Sequence, residues 1–242
     1  MTIFLIALGA FVATALGGLL AIKWSDKLHL ILGFSAGALV GVAFFDLLPE
    51  SIDIGGQYFS VETMMLVVAA GFLVYMVLDR LFFMHCHEEG HDHSHTHGHR
   101  GSFGAGSLSF HSFLDGIAIG IAFHVSSAVG VVVAAAVLTH DFSDGINTVS
   151  MILRNGGGKA RAFRWLLVDA IAPVLGVLST FLFTIPESYT GLILAMFSGF
   201  FLYIGASDLL PESHHKHPTH WTTIATVLGM TTIYFAVHFA GV

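Results

Sequence analysis

Eight stretches of roughly 20 apolar residues constrain this chain more than any single motif does. About 20 helical residues cross the ~30 Å of a bilayer's hydrocarbon. By that length we place the spans at about residues 2–22, 28–48, 62–84, 103–126, 127–153, 162–183, 189–210 and 221–241. Charged residues make up only 10% of the 242, against roughly 25% in a soluble domain. So few cannot coat a water-facing surface. The expected fold is an all-α membrane protein whose main partner is the lipid bilayer. Net charge is −7 with histidine neutral, which gives no reason to expect nucleic-acid binding. Cys86 is the single cysteine, so no intramolecular disulfide forms. Met1-Thr2-Ile3 offers no basic segment ahead of the first apolar run, so we expect that run to stay as a span.

The fourth and fifth spans need a break between them. No lysine or arginine occurs from Leu108 to Thr139, and one straight helix of that length would reach about 48 Å. His124-Val125-Ser126-Ser127 is the only polar place for the break. With eight spans, Lys23, Lys27, Arg80, Arg100, Arg154, Lys159, Arg161, Arg164 and Lys216 all fall in or beside the loops after spans 1, 3, 5 and 7. The positive-inside rule makes those loops cytoplasmic and puts both termini outside, as in a multi-pass protein of the plasma (inner) membrane.

A repeat runs through the chain. Asp46-Leu47-Leu48-Pro49-Glu50-Ser51 closes span 2, and Asp208-Leu209-Leu210-Pro211-Glu212-Ser213 closes span 7. Span 2 runs outward and span 7 inward. The stretches His111-Ser112-Phe113-Leu114-Asp115-Gly116 and His140-Asp141-Phe142-Ser143-Asp144-Gly145 likewise lie in spans of opposite direction. We therefore expect an inverted-topology repeat arranged as three, two and three helices. Such repeats are typical of transporters, with the substrate near the midplane.

Positions i and i+4 share a helix face. Each His stretch thus points one imidazole and one carboxylate the same way, with Ser112 and Asp141 on the flank. Asp115, Asp141, Asp144 and Asp169 all fall inside spans, where a charged carboxylate costs roughly 2.5–3.5 kcal/mol even on the lenient scale. No lysine or arginine is at hand except near span ends. The counter-charge must come from protons, cavity water or a cation. Imidazole with carboxylate suits Zn²⁺, Fe²⁺, Mn²⁺ or Cd²⁺ better than Mg²⁺ or Ca²⁺. His111, Asp115, His140 and Asp144 make four ligands, enough for a tetrahedral site. Ser112 and Asp141 supply a second, adjacent site with a bridging Asp115 or Asp144. We expect Gly116, Gly120 and Gly145 to let spans 4 and 5 pack closely on each other.

The paired stretches resemble the helix 4 and helix 5 motifs of the ZIP (Zrt-, Irt-like) metal transporters. The resemblance covers nearly the whole chain. It implies import of a divalent metal, usually zinc or iron, through a binuclear centre. It also implies a bundle of helices 1, 4, 5 and 6 moving against helices 2, 3, 7 and 8. On the motif, His111, Ser112 and Asp115 take the helix 4 ligand positions, and His140, Asp141 and Asp144 those of helix 5. The pattern departs from the family at three points: Leu114 and Ser143 stand where Pro is common, Ser112 where Asn is common, and Asp where Glu is common. Many members bring a helix 6 Glu beside a Pro; Asp169, four residues before Pro173, is the corresponding acid here.

Other acids and histidines complete the expected route. Asp46 and Glu50 outside, with Asp208 and Glu212 inside, concentrate cations at entry and exit. The stretch 85–101, with His85, Cys86, His87, His91, His93, His95, His97 and His99, reads as a flexible cytoplasmic metal-binding loop. Divalent metal ions are the expected cargo, with no organic cofactor and no ATP site. A homodimer is left open. Two rivals remain at this point: an intramembrane zinc-dependent hydrolase, and an efflux carrier of the cation-diffusion type. The inverted repeat favours two-sided access over hydrolysis.

Overall fold

The computed structural model describes residues 2–21, 28–84, 97–182, 185–215 and 220–240. Among these residues the fold is helical throughout, without a strand. Eight helices are long and apolar enough to cross a membrane: α1 Thr2–Ala21, α2 Leu30–Gly55, α3 Val61–Leu81, α4 Gly101–Val125, α5 Ser127–Leu153, α6 Lys159–Leu182, α7 Ser188–Leu209 and α8 His220–Phe239. Leu5, Leu8 and Leu16 on α1, Leu66 and Leu73 on α3, and Val227 and Leu228 on α8 are exposed. An apolar skin of this kind suits lipid, where a helix satisfies its interior backbone groups within itself. The break between α4 and α5 falls at Ser126, which is extended and whose hydroxyl accepts from the Val129 N–H, capping α5.

The helices sort into two bodies. In one, α1 packs on α5 and α6, and α4 packs on α5 and α6; in the other, α2 packs on α8 and α7, and α3 packs on α7. The seam between them is narrower and runs chiefly along α2 and α5, where Ser35 Oγ donates to the Thr139 carbonyl at 2.8 Å. Exchanging α1 with α6, α2 with α7, α3 with α8 and α4 with α5 turns this set of pairings into itself. The intimate contacts obey the same exchange. α1 meets α5 through Gly17 and Gly145, and α6 meets α4 through Gly176 and Gly116. α2 meets α8 through Gly37 and Gly229, and α7 meets α3 through Gly199 and Gly71. At each contact a Cβ on the glycine would strike backbone of the facing helix.

This corrects the expected role of all three glycines. Gly116 and Gly120 open α4 to the Pro173 carbonyl and the Thr180 side chain of α6, and Gly145 opens α5 to the Thr14 carbonyl of α1, rather than opening α4 and α5 to each other. The reason is angular: residues next in sequence lie about 100° apart round a helix. The Asp115 and Asp144 faces meet, so the glycine faces point elsewhere.

The repeated Asp-Leu-Leu-Pro-Glu segment does not end its helix, another departure from expectation. In both copies the helix widens to a π turn, Ala43–Leu47 in α2 and Ile204–Leu209 in α7, and continues past the proline. Leu48 N–H bonds back to the Ala43 carbonyl and Leu210 N–H to the Gly205 carbonyl, each five residues earlier. Proline has no N–H and crowds the carbonyl four residues back; the wide turn absorbs both. Ser198 Oγ on α7 also donates to the Ala43 carbonyl at 3.1 Å, tying α7 to the widened turn of α2. Beyond α7, helix continues over Leu210–His215.

Within the expected loop 85–101, residues 97–101 are helical and run unbroken into α4; no proline stands between His97 and Phe103 to stop them. His97 and His99 therefore lie on helix. His85, Cys86, His87, His91, His93 and His95 lie outside the described residues.

Candidate metal centre

The helical period sorts α4 into two adjacent stripes. His111 and Asp115 face α5, while Ser112 and Gly116 face α6. α5 answers with His140 and Asp144 on the face toward α4. The result is a buried group of two imidazoles and two carboxylates whose ligand atoms all lie within 4.8 Å of one another. Asp115 Oδ2 is 3.2 Å from His111 Nε2 and 3.1 Å from His140 Nε2. Asp144 Oδ2 is 3.6 Å from His111 Nε2 and 3.8 Å from His140 Nε2. A tetrahedral zinc with bonds of about 2.0–2.1 Å has ligand-to-ligand edges of about 3.3 Å. These four edges bracket that length, so little rearrangement is needed to receive such an ion.

Each imidazole is held by its other nitrogen. His140 Nδ1 lies 3.1 Å from the Ala136 carbonyl of its own helix. His111 Nδ1 lies 2.6 Å from the Tyr75 hydroxyl on α3. Bonds of this kind fix the ring and its tautomer, leaving Nε2 toward the metal position.

The remaining acids divide. Asp169 is satisfied: Ser112 Oγ donates to one oxygen and Thr148 Oγ1 to the other, both at 2.9 Å. It thus joins α4, α5 and α6 just beside the four ligands. Asp141 is fully buried, and neither of its oxygens has a hydrogen-bond partner; Asp144 Oδ2 and Ser143 Oγ are without one as well. A buried carboxylate left in that condition costs several kcal/mol. Oxygen set aside beside imidazole is what a divalent transition cation would use.

A family model described as ZIP Zinc transporter matches residues 100–235, which hold both His motifs and Asp169. This chain belongs to the ZIP zinc transporter family. Among relatives of this ZIP chain, the zinc transporter ZupT of Corynebacterium aurimucosum is 26% identical over 240 residues, spanning 91% of this chain and 90% of the relative. ZupT of Corynebacterium efficiens is 26% identical over 255 residues, spanning 95% and 94%. The zinc transporter ZIP13 of Pongo abelii is 28% identical over 194 residues, 75% of this chain but only 57% of the longer relative. The relatives are named as transporters and not as enzymes. Together with its eight apolar helices, family membership makes the chain a multi-pass membrane protein.

The acids expected at entry and exit are not among the clustered four and differ from one another. Asp46, in the π turn of α2, is 1% exposed with no partner on either oxygen. Glu50 is half-buried one turn on, and Asp208 in the matching turn of α7 is exposed. Glu212 lies in the helix Leu210–His215. Three polar residues of this neighbourhood carry no motif: Tyr75, Asp79 and Tyr203. The signal was present all the same, since a phenol or carboxylate within an apolar run requires a partner in lipid. Tyr203 donates to Asp79 Oδ2 at 2.9 Å.

Proposed function

We propose that this chain carries a divalent transition metal, zinc foremost and also iron, manganese or cadmium, into the cytoplasm across the plasma membrane. His111, Asp115, His140 and Asp144 take the ion, and the convergence of those four in the buried interior is the observation that supports the reading most. A dipositive ion between two carboxylates and two neutral imidazoles leaves no net charge in the site, which removes the desolvation cost of the acids. Asp141, with Ser112 and Asp169 near it, offers a second metal position, and its unspent oxygens favour that use. The four ligands close a tetrahedron and leave no open position for an activated water, which weighs against hydrolysis.

Transport is by alternating access. The ligand-bearing helices all belong to the body formed by α1, α4, α5 and α6, and the narrow seam lets that body move against α2, α3, α7 and α8. The basic residues favour exterior termini and a cytoplasmic loop after α3. Asp46 and Glu50 then attract cations on the outer side, and Asp208 and Glu212 on the inner side. The loop histidines and Cys86 receive or sense the delivered metal.

The test is uptake into proteoliposomes, comparing Zn²⁺, Fe²⁺, Mn²⁺ and Cd²⁺, with Asp144→Ala beside the wild type. We expect metal uptake by the wild type and a loss of at least about 100-fold in the variant. Undiminished uptake by Asp144→Ala would remove that residue from the pathway.

A further inference from the structure

The two imidazoles of the centre are supported from different bodies. His140 takes its orientation from Ala136, on its own helix, so that support travels wherever α5 goes. His111 takes its orientation from Tyr75 on α3, across the seam. The phenol is itself fixed on that far side. Its ring packs on Phe200 and Tyr203 of α7, with centroids 5.3 and 5.6 Å away, and Tyr203 is anchored on Asp79 of α3. The same ring meets the His111 imidazole edge-on, with centroids 5.8 Å apart and planes at 78°.

We infer that Tyr75 is a positioning residue that completes the metal centre in one position of the moving body and abandons it in the other. The inference rests on the transport reading above. With a metal on Nε2, His111 must carry its proton on Nδ1, and the Tyr75 oxygen accepts it. While α4 faces α3, that bond holds the imidazole aimed at the ion. When the body bearing α4 slides, the bond cannot follow, because Tyr75 is tied to α7. His111 then holds the ion without its orienting partner, and binding weakens on the side where release is needed. His140 keeps its own support, so the ion is loosened at one ligand and not dropped by all.

Tyr75→Phe tests this, since it removes the hydroxyl and keeps the ring packing. Zinc and manganese are measured separately, by uptake in proteoliposomes and by equilibrium binding of the radioactive ions to purified protein. Imidazole contributes more to zinc than to manganese, which favours oxygen ligands. We expect the zinc KM and dissociation constant to rise about ten-fold, manganese values to change less than about two-fold, and the maximal rate not to fall. Phe200→Leu, which disturbs the same packing but spares the hydroxyl, should leave the zinc-to-manganese ratio of KM values as in the wild type. Equal changes for both metals, a fall in maximal rate at unchanged KM, or the same ratio shift in Phe200→Leu would overturn the role of Tyr75. A wild-type protein that binds and moves no divalent metal would overturn the transport reading itself.

Discussion

The two copies of the His-x-Phe-x-Asp-Gly stretch share their sequence pattern but not their circumstances. In the α4 copy the polar groups are engaged by protein: His111 with Tyr75, Ser112 with Asp169, and Asp115 with His140 at 3.1 Å. In the α5 copy His140 is engaged, yet both oxygens of Asp141 and one of Asp144 have no hydrogen-bond partner. Helix α5 is the more buried of the two, with α1, α4 and α6 around it and α2 across the seam. The unsatisfied oxygen is thus concentrated where water is least available. One copy has its polar groups engaged by protein, and the other leaves carboxylate oxygens open to a cation.

The largest effects should separate the two acids of the centre. Asp115→Ala and Asp144→Ala each remove a proposed metal ligand and should lower uptake at least about 100-fold. Asp115→Ala should also lower the stability of the metal-free protein by about 1–3 kcal/mol, because His140 Nε2 loses its hydrogen-bonded partner. Asp144→Ala should leave that stability unchanged or raise it. Thermal unfolding in detergent without metal reads the difference; equal destabilisation would erase the contrast between the copies. A smaller effect is expected at Asp141. Asp141→Asn should raise metal-free stability, since a buried unpaired carboxylate is replaced by a neutral group, while zinc uptake falls about ten-fold. Unchanged uptake would confine metal to the first four ligands.

The repeated Asp-Leu-Leu-Pro-Glu segments give the smallest and most informative pair. Backbone geometry is shared, π turn for π turn, yet Asp46 is buried without a partner and Asp208 is exposed. Asp46→Asn should stabilise the protein by about 1–3 kcal/mol, and Asp208→Asn should change it by less than about 0.5 kcal/mol. Chemical unfolding of the two variants side by side makes the comparison, and equal shifts would mean that the two segments have equivalent surroundings.

Much of this is legible in the amino-acid sequence itself. Apolar runs near the length of a bilayer crossing make the eight helices countable, because continuous runs of about 20 apolar residues suit a spanning helix and not a barrel strand. His111 with Asp115, and His140 with Asp144, were readable as pairs because i and i+4 share a face. Tyr75 was not readable as a partner of His111: the two are 36 residues apart, and only tertiary packing joins them. The spacing of Gly116 and Gly145 shows that a helix can be approached closely, but not by which helix; the neighbours are α6 and α1. The two Asp-Leu-Leu-Pro-Glu-Ser segments read as span ends, since a π turn leaves no trace in composition.

Anomalous diffraction from crystals grown with zinc tests most directly whether a metal ion sits among His111, Asp115, His140 and Asp144 between α4 and α5. The account predicts a peak about 2.0–2.2 Å from His111 Nε2, His140 Nε2 and an oxygen each of Asp115 and Asp144. Zinc found only on the loop histidines, with those four side chains bonded to one another and no peak among them, would contradict it.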